Sequence, residues 1–155
     1  IMSKVTFKVN VRPLKAKMNE IKATVKSTVE QVTMEQLAYV QNDAVDIIYN
    51  YPKSVWYKRT GNLGRNYVIE DYGGWSGSKY YATLSNRTDY FNYVERGTGI
   101  YHPNGRQTRW VFKTSDGQYH WTRGMQGRYS MSKAFSEVRD SLVPYLEYRI
   151  NHALR

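Results

Sequence analysis

The chain has 155 residues, 41% of them hydrophobic, and a formal net charge of +10. That length fits one domain with a modest core, and the positive balance favours nucleic acid, acidic protein surfaces or anionic lipid as partners. The absence of cysteine excludes disulfides, thiolate metal sites and cysteine nucleophiles.

Lys4 and Lys8 interrupt any apolar run near the start, so no signal peptide is expected. No stretch approaches the roughly 18 uninterrupted apolar residues of a membrane span. The expectation is a soluble protein made in a cytoplasm.

Val5, Phe7, Val9 and Val11 alternate with Thr6, Lys8 and Asn10, the pattern of a half-buried strand. Pro13 then stands where a helix can begin. Leu14, Met18, Ile21, Val25, Val29, Val32, Val40, Ala44 and Ile47 follow at mostly three- and four-residue spacing, with no Gly or Pro before Pro52. This predicts one helix of about 35 residues, longer than a small core can cover and so free to pack on a partner. The alternative is a break near Ser27–Thr33, which is poor in helix propensity. Residues 51–67 read as a loop. Residues 67–72 and 79–85 read as strands joined by a flexible Gly-Gly-Trp-Ser-Gly-Ser connection.

Asp89 is placed to cap a short helix over 90–96, with Gly97 just after its last turn. Asp116-Gly117 lies between two aromatic, alternating runs, the signature of a two-residue hairpin turn. Residues 132–154 carry Ala134, Phe135, Val138, Leu142, Leu146, Ile150 and Ala153 on one helical face, and Pro144 should kink that helix or start a second. The fold class is therefore α+β: a small antiparallel or mixed sheet, one long N-terminal helix and an amphipathic C-terminal helix. Residues 1–155 form a single domain from which a hairpin near 100–125 protrudes.

Signals for catalysis are weak. His102, His120 and His152 lie far apart with no metal-ligand spacing. The glycines at 61 and 64 lack the Lys-Ser/Thr of a phosphate-binding loop. Glu70 and Asp71 are neighbours on a strand and point to opposite faces. No enzyme, cofactor or metal is expected.

Cations cluster twice. Seven of them face only Glu20 in the first 26 residues, and Arg106, Arg109, Lys113, Arg123 and Arg128 face only Asp116 between 104 and 130. In the second cluster Trp110, Tyr119 and Trp121 interleave with the cations. That pattern fits either a stacking platform for nucleic acid or the core face of a sheet. Basic, sequence-independent nucleic-acid binding is thus one reading of the whole chain.

The stretch Asn92-Tyr93-Val94-Glu95-Arg96-Gly97-Thr98-Gly99 reads as a corner rather than a phosphate cradle, with Gly97 as the left-handed cap. Glu95 then falls near a helix C-terminus, where a negative charge is unfavourable. It calls for a basic partner, and Arg59, Arg65 and Arg96 are the candidates, from the same chain or from a neighbouring subunit.

The order of features carries a further signal. A strand, a long Lys-rich helix, a proline, Thr60-Gly61-x-Leu63, a strand, Tyr90-x-x-Tyr93-x-Glu95-x-Gly97-Thr98 and a final amphipathic helix follow one another. This order resembles the tail-completion, or head–tail joining, family of long-tailed phages, which are neck and minor tail proteins. The family pattern has a basic residue after the leucine; here Gly64 takes that place and Arg65 follows one position late. The Pro-Phe cluster that opens the family's last helix is replaced by residues 127–135.

The resemblance implies a structural virion protein, made in the host cytoplasm and located in the phage neck. It would assemble as a homo-oligomeric, sixfold ring between head connector and tail tube proteins, with weak non-specific contact to genomic DNA and none to membrane. It would act as a joining or tail-terminating ring. Arg59, Thr60, Gly61, Leu63 and Arg65, with Tyr90, Tyr93, Glu95, Gly97 and Thr98, are the candidate assembly residues, and the Thr60–Leu63 and Tyr93–Gly99 segments would form the corner that sets subunit shape. Trp110 and Trp121 on the hairpin would reach a neighbour.

Overall fold

A computed structural model describes residues 10–52 and 59–155. The fold is α+β, with a long N-terminal helix, two small antiparallel sheets and a C-terminal helix. The expected strand over 5–11 lies almost wholly outside the described residues.

Helix α1 runs unbroken from Arg12 to Asn50 with Pro13 in its first turn, a length of roughly 58 Å. The suspected break near Ser27–Thr33 does not occur. Ser27 and Thr28 both donate their hydroxyls to the carbonyl of Thr24, at 3.0 and 2.8 Å, so these side chains bond along the helix instead of competing with it. Thr28, Val32, Val40, Ala44 and Ile48 are its buried residues. Residues 12–23 are exposed throughout and extend beyond the core.

After the single turn of α2 (Asn62–Arg65), β1 (Tyr67–Ser76) and β2 (Lys79–Asn86) form an antiparallel hairpin. Both strands are longer than expected. Trp75 and its flanking residues continue β1 past an irregularity between Glu70 and Gly74, and the turn is confined to residues 77 and 78. The indole N–H of Trp75 donates to Glu30 Oε1 at 2.5 Å, with the Lys26 ammonium 5.0 Å from the ring. These contacts hold Trp75, within the connecting segment, against α1.

Helix α3 (Phe91–Arg96) begins at Tyr90 without a side-chain cap, so Asp89 does not serve as one. A 3-10 turn (Gly99–Tyr101) follows. Strands β3 (Trp110–Lys113) and β4 (Tyr119–Thr122) make the second antiparallel pair. Their turn is wider than the two-residue form. Thr114 N–H bonds the Gln118 carbonyl at 2.8 Å, Gly117 N–H bonds the Thr114 carbonyl at 2.9 Å, and Gly117 takes φ +85. This is the three-residue loop with glycine at its left-handed position.

Helix α4 (Ser130–Ala153) is continuous, with Pro144 inside it. Pro144 is exposed, so the carbonyl that loses its helical N–H can be served by water. Of the expected apolar face, Ala134 is buried and Val138, Leu142, Leu146 and Ile150 are half-buried, whereas Phe135 and Ala153 are exposed. The helix lies antiparallel to α1. Arg128, just before it, reaches the Ile48 carbonyl near the end of α1, and Arg149 near its own end bonds Glu35 at 2.8 Å.

The core forms where α1, α2, β1, α3 and α4 meet: Val40, Ala44 and Ile48 of α1, Leu63, Tyr67, Val94 and Ala134. Burial of each larger aliphatic side chain here contributes roughly 1.5–3 kcal/mol. The edge of the core is closed by backbone. Thr98 and Ile100 donate to the carbonyls of Met125 and Arg123, and Arg128 and Tyr129 donate to those of Val94 and Glu95, all between 2.8 and 3.0 Å. Gly99 sits in this seam at φ +59, where a Cβ would fall 1.9 Å from the Arg123 carbonyl oxygen.

Gly99→Ala is therefore expected to destabilise the fold by more than ~2 kcal/mol, because backbone must move. Gly77→Ala, at φ +62 with open space around it, should lose only about 1 kcal/mol. Urea unfolding of the two variants checks the difference.

Candidate functional site

The two segments singled out in the sequence come together at the end of the core. The Thr60–Arg65 turn opens α2, with Gly61 at φ +76, and the Arg65 guanidinium returns to the Thr60 carbonyl at 3.0 Å. Leu63 enters the core beside Val94. The Asn62 amide donates to the Tyr90 hydroxyl at 3.4 Å, joining this turn to the start of α3. Tyr93 stays 60% exposed. Gly97 takes the positive φ expected of a cap, but its ψ of 178 leads the chain into extended backbone that bridges to Gln126. Thr98 then exchanges two bonds with Met125, one through its N–H and one through its hydroxyl oxygen. The stretch is a corner, and its backbone groups are engaged with the chain itself.

Glu95 has a different partner from the one its sequence position calls for. Its buried carboxylate faces the start of α4. Oε2 accepts from the Ser130 hydroxyl at 2.8 Å and the Met131 N–H at 3.3 Å; Oε1 accepts from the Ser132 N–H at 3.1 Å and the Ser132 hydroxyl at 3.2 Å. Tyr129, at the N-cap position, makes no side-chain cap bond and takes the left-handed φ of 51. Glu95 therefore supplies from a distant part of the chain what a capping side chain supplies locally, and its charge lies at the positive end of a helix dipole. Ser130 has one proton and gives it to Glu95, so the Tyr67 phenol must donate to Ser130 Oγ, 2.9 Å away. Burial pushes this phenol's pKa from 10.0 up to about 12, and the nearby charge of Glu95 acts in the same direction.

The three arginines nominated for Glu95 have other tasks. Arg59 donates to the Tyr49 carbonyl at 2.6 Å and to the Tyr51 carbonyl, Arg65 closes its own turn, and Arg96 is exposed. Arg128, not nominated from sequence, is buried and donates to the Ile48 carbonyl at 3.0 Å. Cations thus serve the negative end of α1 and an anion serves the positive end of α4. Ser130, Ser132 and Arg128 were the residues missed. A serine just before an amphipathic run is a helix-start signal, and it places the start of α4 two residues before the expected 132.

The exposed surfaces of the described residues include the two that the sequence pointed to. Along the projecting part of α1, Leu14, Met18 and Ile21 are 62%, 49% and 39% exposed. On the second hairpin, Trp121 is exposed and Trp110 half-buried. Trp110 packs beside Gly99, beneath the Arg106 guanidinium at 5.8 Å; Trp121 faces away, so the two tryptophans do not form one patch. Among the described residues, no group of three His, Asp or Glu is placed to hold a metal ion, and no helix is long and apolar enough to cross a membrane. Comparison with protein-family models, curated proteins and solved structures finds no match.

Removing the Glu95 carboxylate strands buried donors at the start of α4. Glu95→Ala should cost roughly 2–4 kcal/mol in chemical denaturation, with Glu95→Gln intermediate because it keeps one acceptor and turns an amide N–H2 toward the other donors.

The raised pKa of Tyr67 makes stability fall with alkali. The folded protein holds this proton more tightly than the unfolded chain, so its contribution is complete below pH 10.0 and is lost as the pH rises through about 12. Tyr67→Phe should flatten that limb of a stability–pH profile.

Proposed function

We propose that this chain is a non-enzymatic structural subunit of a phage neck, one of several identical copies that close a ring at the head–tail junction. The observation that carries this reading is the projecting helix. Leu14, Met18 and Ile21 line up along a segment that the described residues leave exposed, and Val25, Thr28 and Val32 continue the same four-three spacing into the body. An apolar seam of this kind fits a neighbouring subunit or ring component. A helix that leaves one subunit to lie on the next makes a head-to-tail contact, and such contacts close into rings when the rotation permits.

The resemblance to tail-completion proteins supports the same reading. The residues that carry it, Thr60 to Leu63 and Tyr90 to Thr98, meet at the corner that fixes α4 against α1. Their role in the proposal is to set the angle between the body and its extensions. The partners would be head connector proteins on one face and tail tube protein on the other. Repetition of one weak contact around a ring gives avidity without strong pairwise affinity.

Electron microscopy of particles made with the gene interrupted tests the proposal. Separated DNA-filled heads and tails are expected for a joining ring, and tails of abnormal length for a terminator. Normal infectious particles would overturn it. Ile21→Glu should leave the melting temperature within about 1–2 °C of the parent, since the position is exposed, yet abolish incorporation into particles. Full incorporation of this variant would remove the helix from the proposal.

A further inference from the structure

The β3–β4 hairpin has two unlike faces. Trp110, Phe112, His120 and Thr122 share one by strand alternation and register. Phe112 and His120 lie ring to ring at 5.8 Å and, with Thr122, line a cleft of about 680 Å³ against Leu63 and Val94, whose rim also takes in Trp121. Val111, Lys113, Tyr119 and Trp121 share the other. Tyr119 and Trp121 are 69% and 64% exposed there. Each carries a cation beside its ring: the Lys113 ammonium 5.6 Å from Tyr119 and the Arg109 guanidinium 4.7 Å from Trp121. The sequence left open whether these aromatics belong to a core face; Trp110 is half-buried, while Tyr119 and Trp121 face outward.

We infer that this outward face is a binding site for single-stranded nucleic acid, read without regard to sequence. Charge complementarity selects a polyanion. The Arg109 guanidinium and the Lys113 ammonium stand beside its rings, and Arg123 follows Trp121 by two residues. The one acid of the segment, Asp116, is at the hairpin tip, where its carboxylate accepts from the Thr114 hydroxyl and the Gln118 N–H.

The rings select unpaired bases among polyanions. Tyr119 and Trp121 are alternate residues of one strand, roughly 7 Å apart along it, and each presents a flat surface on which any base can stack. In a duplex the bases are already stacked on one another, so only the phosphates would meet the cations. An acidic peptide would likewise use the cations and leave the rings idle. The four-residue strands span roughly 13 Å, enough for a few nucleotides. The inference stands on the hairpin alone and does not need the neck reading.

The test is fluorescence anisotropy of the full chain with a labelled oligothymidylate of about ten nucleotides, within the usual span of single-strand sites. Micromolar binding is expected at low salt, weakening roughly tenfold or more between about 50 and about 200 mM salt if some three phosphates are contacted. Trp121→Ala should weaken binding by about tenfold or more, and Trp121→Phe much less, since a stacking ring remains. Arg109→Ala should lower the salt dependence. Circular dichroism of these exposed-site variants should match the parent.

Absence of binding up to about 100 μM, the upper end of non-specific affinities, would overturn the inference. So would an unchanged affinity in the Trp121→Ala, Tyr119→Ala double variant. Equal affinity for a duplex of the same length, or equally effective competition by polyglutamate, would also overturn it by reducing the face to a patch of positive charge.

Discussion

The carboxylate of Glu95 lies where the first turn of α4 leaves its N–H groups without helical partners. Its side chain comes from a short helix that precedes α4 by more than thirty residues. The link therefore joins parts of the chain that local structure could not bring together. It also decides where α4 begins. Tyr129, the residue at the N-cap position, cannot cap a helix and sits in a left-handed conformation that costs on the order of 1–2 kcal/mol. The Glu95 carbonyl accepts its N–H at 3.0 Å. One residue thus holds the turn through its backbone and the helix through its side chain.

The other helix end meeting here is treated with the opposite charge. Arg59 and Arg128 bond the last carbonyls of α1, and the Arg128 guanidinium stands 5.3 Å from the Tyr51 ring. Because α1 and α4 are antiparallel, the negative end of one and the positive end of the other lie at the same end of the molecule. Arg128 and Glu95 belong to adjacent paired segments, since Arg128 N–H bonds the Val94 carbonyl at 2.9 Å. A single seam of backbone therefore delivers the cation and the anion to their respective helices. The seam needs close approach, and glycine at 97, 99, 124 and 127 removes the Cβ that would otherwise meet backbone there.

At the other end of the pair the chemistry is milder. Arg149 bonds Glu35 and the Tyr145 hydroxyl, and this holds the Glu35 carboxyl below its ordinary pKa. The group is open to water, so the contact positions α4 along α1 more than it stabilises the fold. Beyond it the first turns of α1 are left exposed by the described residues.

Much of this was legible in the residues. Proline at 13 and 52 bounded a single long helix, because no residue between them breaks one. A Gly-Ser-rich connection separated the strands of the first hairpin, aromatic runs about Asp116-Gly117 marked those of the second, and three- and four-residue spacing marked α4. The corner at Glu95 to Gly99 was readable from an acid, a base and two glycines in a row. What the sequence could not state was who meets whom. It asked for a cation beside Glu95, because it showed the helix that Glu95 ends and not the helix that Glu95 faces. It offered Trp110 and Trp121 as equals, because alternation separates two faces without saying which one the core will cover. Both answers depend on contacts between distant segments: the packing of α4 against α1, and the backbone bonds that join Thr98 and Ile100 to Met125 and Arg123 at the foot of the second hairpin.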